Sequence, residues 1–321
     1  MNKIKEAFSF LVENGVANVH QGELLAKQSS WFIGGAADIF VVASCAKDVT
    51  IAMCIADRLQ LPLLILGGGS NLLFDDAGFR GIVVKVDNAF KHIVLEGNRI
   101  LAGAGVWVPC LARASAKNGL TGLEHISGVP GSFGGLLYMN GGSQRKSISD
   151  NVISVRIIDG GGTYHTLSRK QCQFSYRKSI FQEKNCFILE AELECTKKNP
   201  LEIRRENLSI LRSRNKKFPR KQPNCGSVFV SDPAMYEDFG PPGKIIEECM
   251  LKSASIGGAQ VSPLHANFII NKGGAQSSDV LALIDKVRRM VYDRTKYWLR
   301  CEVRYVRPDG VVKPVHHFLE E

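Results

Sequence analysis

The segment Gly67-Gly-Gly-Ser-Asn71 combines residue types that could bind a phosphate group. It follows the apolar run 61–66, so the glycines stand where a buried strand would end. Glycines let the backbone approach a ligand closely, and successive N–H groups can converge on phosphate oxygens, with Ser70 and Asn71 as further donors. A plain glycine turn explains the same residues equally well. Leu72 replaces the third glycine of the dinucleotide fingerprint, and the chain contains no Walker A sequence.

A second glycine-dense segment favours the phosphate interpretation. Residues 122–135 also carry the small hydroxyls of Ser127 and Ser132, and they continue into residues 136–142. Two such segments, each after an apolar stretch, fit the two sides of one extended ligand. This pairing predicts a binding site that neither segment would establish alone.

The composition is that of a globular protein. Hydrophobic residues make up 45% and charged residues 22% of the chain, which argues against extended disorder. No stretch approaches the ~20 apolar residues that a membrane-spanning helix needs. Residues 1–10 lack the features of a signal peptide, so we expect a cytoplasmic protein without membrane insertion.

The net charge of +10 is compatible with nucleic acid, a membrane surface or small anionic ligands as partners. The densest basic run is residues 212–221, without a nucleic-acid-binding module or interleaved aromatic residues. We interpret most of it as a solvated helix end and loop, with attraction of phosphorylated substrates as the alternative. No nucleic-acid partner is expected.

The nine cysteines contain no C-x-x-C pair, and their number is odd. We therefore expect reduced thiols that pack as small hydrophobic residues, with neither disulfides nor a metal site.

Helical and strand patterns occur in separate blocks, which predicts an α+β fold rather than one doubly wound sheet. The strand at 187–195 should be half exposed, with Glu190, Glu192 and Glu194 on its solvent face. The predicted helices are 47–59, 108–118, 202–217 and 279–297, and the predicted strands are 61–66, 81–86, 152–158, 163–167, 187–195 and 299–306.

The two glycine segments resemble the flavin-binding domain of the vanillyl-alcohol-oxidase type, and specifically that of the UDP-N-acetylenolpyruvoylglucosamine reductase family. Further motifs in the family's order extend the resemblance from about residue 29 to residue 306. These motifs are Tyr176-Arg-Lys-Ser-Ile-Phe181, Asn224-Cys-Gly-Ser-Val-Phe229, residues 256–268 and Leu299-Arg-Cys-Glu-Val-Arg304.

The resemblance implies the fold and the cofactors. It implies an α+β protein with a two-part FAD-binding domain (1–86 and 87–203), a smaller α+β substrate-binding domain (204–307) and a tail (308–321). It also implies an oxidoreductase in which NADPH reduces non-covalent FAD, and the reduced flavin then reduces UDP-N-acetylglucosamine enolpyruvate. The implied cofactor-binding residues are Gly67, Gly68, Gly69, Ser70, Asn71, Gly128, Gly131, Ser132 and Tyr138.

The resemblance further implies three catalytic residues. The enolpyruvyl double bond accepts hydride only if charge that develops on the adjacent carboxylate is stabilised. Arg177 suits that carboxylate, Glu302 stands at the family's acid position, and Ser227 matches its proton donor. Taken singly, the three could be a surface arginine, a charged strand face and a turn hydroxyl. Within their motifs, we interpret them as catalytic.

Other residues are assigned by the same resemblance. His265 and Asn140 match substrate-side positions, although a structural loop histidine is an alternative for His265. His316 and His317 lie beyond the matched motifs, and we expect both to be exposed to solvent.

The short distance in sequence between Arg177 and Ser227 resembles the family's second, shorter type. Phe32 stands where a basic residue is usual, and residues 231–243 form a longer loop than usual. Candidates for binding the substrate diphosphate are Lys216, Lys217 and Lys221, which the sequence does not rank.

Two other functions compete with this one. A flavin oxidase of the same fold, acting on a sugar or hydroxy acid, would often attach its flavin through a histidine, for which His125 is the candidate. A basic nucleic-acid-binding protein would lack a flavin spectrum and bind in a salt-sensitive way. We expect the reductase, acting as a monomer.

Overall fold

The chain folds into two units, each assembled from separate stretches of sequence, in a computed structural model that describes residues 3–86 and 88–320. The first unit contains the N-terminal stretch up to Gln21 together with Ile39–Gly68 and Gly81–Arg214. The second unit contains Gly22–Asp38, Gly69–Arg80 and the C-terminal stretch from Asn215 onwards.

The helices and strands follow the predicted blocks closely. The helices are α1 (Lys3–Glu13), α2 (Ala46–Leu59), α3 (Val108–Lys117), α4 (Phe133–Tyr138), α5 (Pro200–Lys217), α6 (Pro233–Asp238), α7 (Pro242–Glu248) and α8 (Ser277–Thr295). The strands are β1 (Val19–Leu24), β2 (Ala36–Ala43), β3 (Leu63–Leu66), β4 (Leu72–Phe74), β5 (Phe79–Val86), β6 (Ile93–Glu96), β7 (Arg99–Gly103), β8 (Leu120–Thr121), β9 (Val152–Asp159), β10 (Tyr164–Ser168), β11 (Cys186–Glu194), β12 (Thr196–Lys197), β13 (Ser255–Ile256), β14 (Ala259–Val261), β15 (Ile269–Asn271), β16 (Arg304–Val306) and β17 (Val312–Pro314).

The first unit is organised around two sheets. One has the strand order β1-β2-β5-β3, in which β3 runs parallel to β5 with Leu63 opposite Ile82. The other is the antiparallel sheet β10-β9-β11-β7-β6. Helix α3 begins with Pro109 in its first turn and ends before Gly119, whose φ of +67° other residues rarely adopt. One continuous hydrophobic core joins these elements.

The second unit packs the long helix α8 against small sheets. The apolar face of α8, including Leu283, Ile284 and Val287, is buried in the core of this unit. Strand β16 pairs with β17 in antiparallel and with β4 in parallel register, so that Arg304 lies opposite Leu72. This pairing sets the end of the glycine run beside the peptide that precedes β16.

The predicted strand 299–306 is wrong in its first half, because only Arg304–Val306 forms a strand and residues 302 and 303 form a bend. The predicted solvent face of β11 is also wrong at Glu190, which is only 6% exposed. A register shift in β11 lies between Ile188 and Glu190, and the Glu190 carboxylate forms an ion pair with Arg156 and a hydrogen bond of 2.8 Å with His92 Nε2. These partners compensate for the burial of its charge.

Two expectations about solvent exposure need correction. His316 is buried rather than exposed, because its ring packs inside the second unit and accepts a backbone hydrogen bond, whereas His317 is exposed as expected. The thiols of Cys45, Cys54 and Cys110 are exposed, so the expectation that every cysteine packs as a small hydrophobic residue is wrong for these three.

None of the helices in the described part of the chain combines the length and apolar composition needed to cross a membrane. Across residues 3–86 and 88–320, no group of three or more His, Cys, Asp or Glu side chains is arranged as metal ligands would be.

Trp31 anchors the loop that precedes β2. It is fully buried, its Nε1 donates to the Ile269 carbonyl oxygen at 2.7 Å, and its own carbonyl accepts from Asn271 Nδ2 at 2.9 Å. The next residue, Phe32, has a φ of +57° and is 62% exposed. A buried residue therefore holds an adjacent exposed aromatic ring in a strained backbone conformation.

Trp31→Phe should lower the free energy of unfolding by about 1–3 kcal/mol, because the buried Ile269 carbonyl loses its donor. Urea unfolding followed by circular dichroism measures the change. Trp107→Phe is the matched control, since Trp107 is 44% exposed and should tolerate the change. Equal shifts of the two midpoints would contradict the anchoring role.

Candidate active site

The first half of the glycine run lies in the first unit, directly after β3. Lys85 of β5 donates from Nζ to the Gly67 carbonyl oxygen at 2.8 Å. A Cβ built on Gly67 would lie 2.1 Å from Ser132 Oγ, and one built on Gly68 would lie 2.9 Å from the Cα of Gly131. The two glycine-dense segments therefore lie in direct contact, as expected if they flank one ligand. This contact is possible because the glycines have no side chains.

The second half of the run lies in the second unit. Gly69 has a φ of +60°, its Cβ would lie 2.0 Å from the Gln28 carbonyl oxygen, and its own carbonyl accepts from Ser30 N at 3.1 Å. Asn71 donates from Nδ2 to the Glu302 carbonyl oxygen at 3.2 Å. The run thus ends in contact with a residue of the predicted catalytic set.

The glycine run fits the diphosphate of FAD. The carbonyl groups of Gly67 and Gly69 are bonded to a lysine ammonium and to a backbone amide. Because the C=O and N–H of a trans peptide point in opposite directions, the N–H groups of Gly68 and Ser70 point away from these contacts. The N–H groups of two alternate peptides in this run are therefore directed away from the protein contacts, and backbone N–H groups that converge on one side are the feature of backbone phosphate sites.

The other predicted cofactor residues of the second segment have clear local roles. Ser132 caps α4 and accepts a hydrogen bond from Gly135 N at 3.3 Å. Gly128 lies against α5, where its carbonyl oxygen accepts from Arg214 Nε at 3.2 Å and its Cβ would lie 2.8 Å from Leu211. The segment is therefore held between α4 and α5.

Arg177 lies in a tight turn of the first unit with a φ of +58°. Ser175 and Lys178 close the turn through reciprocal backbone hydrogen bonds of 3.1 and 3.0 Å. The guanidinium donates to the Gly142 carbonyl oxygen at 3.3 Å, and its Cζ lies 5.0 Å from the ring centre of Tyr176. A permanently charged, planar group is thus held by a strained turn and by two contacts.

Tyr138, the last residue of α4, and Asn140, just after it, belong to the hydrogen bonds that hold this arginine turn. The Asn140 amide is 3% exposed, donates to the Ser175 carbonyl oxygen at 2.8 Å and accepts from Ser149 N at 3.2 Å. The Tyr138 carbonyl oxygen accepts from Gln182 Nε2 at 2.9 Å, and the same Nε2 donates to the Arg177 carbonyl oxygen at 3.0 Å. The structure thus brings Tyr138, Asn140 and Arg177 into one hydrogen-bond network.

Ser227 and Glu302 come together in the second unit. The backbone N–H of Glu302 donates to the Val228 carbonyl oxygen at 2.8 Å, and Val228 N donates to the Asn267 carbonyl oxygen at 2.9 Å. Ser227 and Glu302 are both half-buried. Because Asn71 also bonds to Glu302, the Glu302 backbone contacts both Asn71 and the residue that follows Ser227.

His265 lies in an aromatic cluster, with ring centres 5.3 Å from Phe218 and 5.2 Å from Phe268. Its Nδ1 accepts a hydrogen bond from Asn267 N at 3.2 Å. Burial lowers the pKa of this imidazole, and the charge of Lys252 lowers it further. The ring is therefore neutral at neutral pH and carries its proton on Nε2, which makes Nε2 a donor.

His125, the residue that the oxidase alternative would use, is buried in the first unit. Its Nδ1 lies 3.0 Å from the Gly122 carbonyl oxygen, and burial lowers its pKa. Its Nε2 has no hydrogen-bond partner within the part of the chain that the structure describes.

Sequence reasoning missed three residues that support the site. Lys85 holds the Gly67 carbonyl, and its signal is the single charge in the otherwise apolar stretch 81–86 of β5. Gln182, which holds the arginine turn, directly follows the Tyr176–Phe181 motif. Asn267 brackets Phe229 by accepting from its N–H at 2.8 Å and donating to its carbonyl at 2.9 Å, and it belongs to the motif that contains His265.

Gly68→Ala should reduce the flavin bound by the purified protein at least about tenfold, because the added methyl meets backbone rather than a movable side chain. The ratio of visible flavin absorbance to protein absorbance measures the loss. Gly161→Ala is the control, since a Cβ at Gly161 meets only a side-chain oxygen of Asp159 at 3.4 Å. A full flavin complement in Gly68→Ala would contradict the role of this contact.

Two family models match the chain. Residues 37–168 match an FAD binding domain, and residues 218–306 match the C-terminal domain of UDP-N-acetylenolpyruvoylglucosamine reductase. The predicted fold class is confirmed: an α+β chain with an FAD-binding domain of the vanillyl-alcohol-oxidase type followed by a smaller C-terminal domain.

Curated relatives and a solved structure carry the same description. UDP-N-acetylenolpyruvoylglucosamine reductase 1 of Corynebacterium glutamicum is 41% identical over 99% of this chain and 96% of its own length. The Bacillus subtilis enzyme is 35% identical over 92% of this chain and 96% of its own length. The crystal structure of the Thermus caldophilus enzyme superposes with a TM-score of 0.77 at 28% identity, covering 90% of this chain and 98% of its own. The chain therefore belongs to the UDP-N-acetylenolpyruvoylglucosamine reductase family.

Proposed function

We propose that this protein is an NADPH-dependent flavoenzyme that reduces UDP-N-acetylglucosamine enolpyruvate to UDP-N-acetylmuramate, a step of peptidoglycan precursor synthesis. The observation that carries the proposal is the hydrogen bond from Asn71 to the peptide of Glu302. It joins a run suited to a flavin diphosphate to the motif that supplies the acid. Family membership over nearly the whole chain supports the same reaction and not the oxidase alternative.

The residues proposed to hold FAD without a covalent bond are Gly67, Gly68, Gly69, Ser70, Asn71, Gly128, Gly131, Ser132 and Tyr138. FAD held there would supply the hydride chemistry, accepting hydride from NADPH and passing it to the terminal carbon of the enolpyruvyl group. The contact of Gly67 and Gly68 with Gly131 and Ser132 supports their assignment to one cofactor site.

The proposed catalytic residues act on the charge that this hydride creates. Electron density moves from the double bond toward the carboxylate, where the Arg177 guanidinium offers two parallel donors. Glu302 stabilises the enolic form by donating a hydrogen bond without net transfer of its proton, and Ser227 Oγ gives its proton to the carbon beside the carboxylate. One hydride and one proton are thereby added across the double bond, and NADPH is oxidised. A weak acid such as serine suffices because the receiving carbon is strongly basic.

The remaining substrate contacts are also proposals. The neutral imidazole of His265 donates through Nε2, whereas Asn140 acts through the turn that holds Arg177. For the diphosphate we keep Lys216, Lys217 and Lys221, all of which are exposed. The proposal includes a monomeric cytoplasmic enzyme with domain limits at residues 86, 203 and 307, and light scattering tests the monomer.

Anaerobic mixing tests the reaction directly. NADPH should bleach the visible flavin band, and the enolpyruvyl nucleotide should restore it, because each substrate serves one half-reaction. Stopped-flow absorbance measures both steps. Reoxidation by oxygen alone, without a response to the nucleotide, would overturn the proposed function.

Ser227→Ala should slow reoxidation by the nucleotide about a hundredfold or more while leaving reduction by NADPH unchanged, because only the second step needs the proton. The same stopped-flow traces separate the two rates. Ser278→Ala, at an exposed hydroxyl of α8 in the same unit, is the matched control and should leave both rates unchanged. Equal losses in both half-reactions would contradict the role of Ser227 as proton donor.

A further inference from the structure

The C-terminal segment, residues 314–320, bonds to the backbone on both sides of Glu302. His316 Nδ1 accepts a hydrogen bond from Cys301 N at 3.0 Å, and Val315 N donates to the Val303 carbonyl oxygen at 3.1 Å. Neither contact involves the residues so far assigned to the reaction. The segment therefore fixes the two residues that flank Glu302.

The peptide of Glu302 itself is fixed by other segments. Its N–H donates to the Val228 carbonyl oxygen at 2.8 Å, and its carbonyl accepts from Asn71 Nδ2 at 3.2 Å. Residues 301–303 form no regular strand. Their conformation therefore depends on individual bonds. An isolated bridge pairs Cys301 with Phe229, with Val230 N donating to the Arg300 carbonyl oxygen at 2.9 Å, and His316 accepts from the N–H of Cys301 itself.

Arg288 of α8 ties the C-terminal segment to the rest of the second unit. The guanidinium is buried, with its Nε donating to the Leu299 carbonyl oxygen at 2.9 Å and its terminal nitrogen paired with Glu320. Its Cζ lies 4.9 Å from the ring centre of Trp298. The segment and Leu299, which lies three residues before Glu302, are thus attached to the same helix.

We propose that His316 is a positioning residue for Glu302, because its Nδ1 lone pair holds the Cys301 amide and so sets the direction from which the Glu302 side chain leaves the backbone. The inference rests on the function proposed above. It assigns a role in the reaction to a segment outside every motif that carries the family resemblance.

The contact requires neutral His316, since a proton on Nδ1 would remove the acceptor. Burial lowers the pKa of His316 to about 4, with the charges of His317, Arg288 and Arg300 acting in the same direction and Glu320 in the opposite one. Below its ordinary pKa of 6.5, the unfolded chain takes up this proton before the folded chain does. The stability from this group is present above pH 6.5 and is lost as the pH falls toward 4.

Two substitutions of His316 in the flavin-loaded enzyme separate the hydrogen bond from packing. The shorter asparagine side chain would place its Oδ1 where Nδ1 stands, so His316→Asn should change the rate of nucleotide-dependent reoxidation by less than about threefold. His316→Leu has no acceptor and should slow this step about tenfold or more, because misplacing a catalytic group is costly. Flavin content and reduction by NADPH should be unchanged in both. His317→Leu is the matched control at an exposed neighbour and should leave both rates unchanged.

Thiol labelling read by mass spectrometry gives a readout that is independent of activity. Cys301 and Cys225 are both buried in the second unit. His316→Leu should raise the labelling rate of Cys301 by about fivefold, because the stability contributed by one hydrogen bond is lost. The labelling rate of Cys225 should not change. A parallel rise at both thiols would show general loosening and overturn the positioning role.

The kinetic outcomes distinguish this inference from the proposed function. A wild-type enzyme that does not respond to the nucleotide overturns the proposed function, and with it the role of His316. A normal wild type together with an unslowed His316→Leu overturns the role of His316 alone. Equal slowing in the Asn and Leu variants would show that the acceptor is not what matters.

Discussion

The backbone of residue 302 is bonded to two segments that are far from it in sequence, Asn71 on one side and Val228 on the other. Buried backbone groups must be paired, so an irregular peptide takes its position from whichever segments supply its partners. One of these segments is the glycine run, which ends at Asn71. The other contains Val228, the residue that follows Ser227. The backbone of Glu302 thereby takes its position from Asn71 and from the residue that follows Ser227.

In the first unit, a steric constraint positions the glycine run. The backbone at Gly67 and Gly68 lies too close to Gly131 and Ser132 for any side chain to fit. Without side chains, the peptide groups of the two segments come close together, and the dipoles of their N–H groups can stabilise an anion. Glycine is required there by distance rather than by φ, since neither Gly67 nor Gly68 has a positive φ.

The sequence predicted what depends on local pattern or on motif order. Helices with a clear 3.6-residue period and apolar strands were confirmed, because burial of one face follows from spacing. Glu190, His316 and the first half of the strand 299–306 were not predictable in this way. Their environments are set by partners distant in sequence, namely Arg156 for Glu190 and the Cys301 amide for His316. Asn140 was predicted as a site residue from its motif. Its bonds to the backbone at Ser175 and Ser149, which support the arginine turn, could not be predicted from the motif.

The proposed cationic site residues differ in how firmly the structure fixes their side chains: Arg177 lies in a hydrogen-bonded turn, whereas the lysines are exposed. The strained backbone of Arg177 costs about 1–3 kcal/mol, and bonds from Asn140 and Gln182 to its turn offset that cost. A charge fixed in this way need not lose further side-chain freedom when a carboxylate develops charge. Exposed lysines such as Lys217 attract an anion without orienting it, because an ammonium on a flexible stem acts as a point charge. We therefore propose Arg177, rather than the exposed lysines, for the reacting carboxylate, and keep the lysines as candidates for attracting the diphosphate.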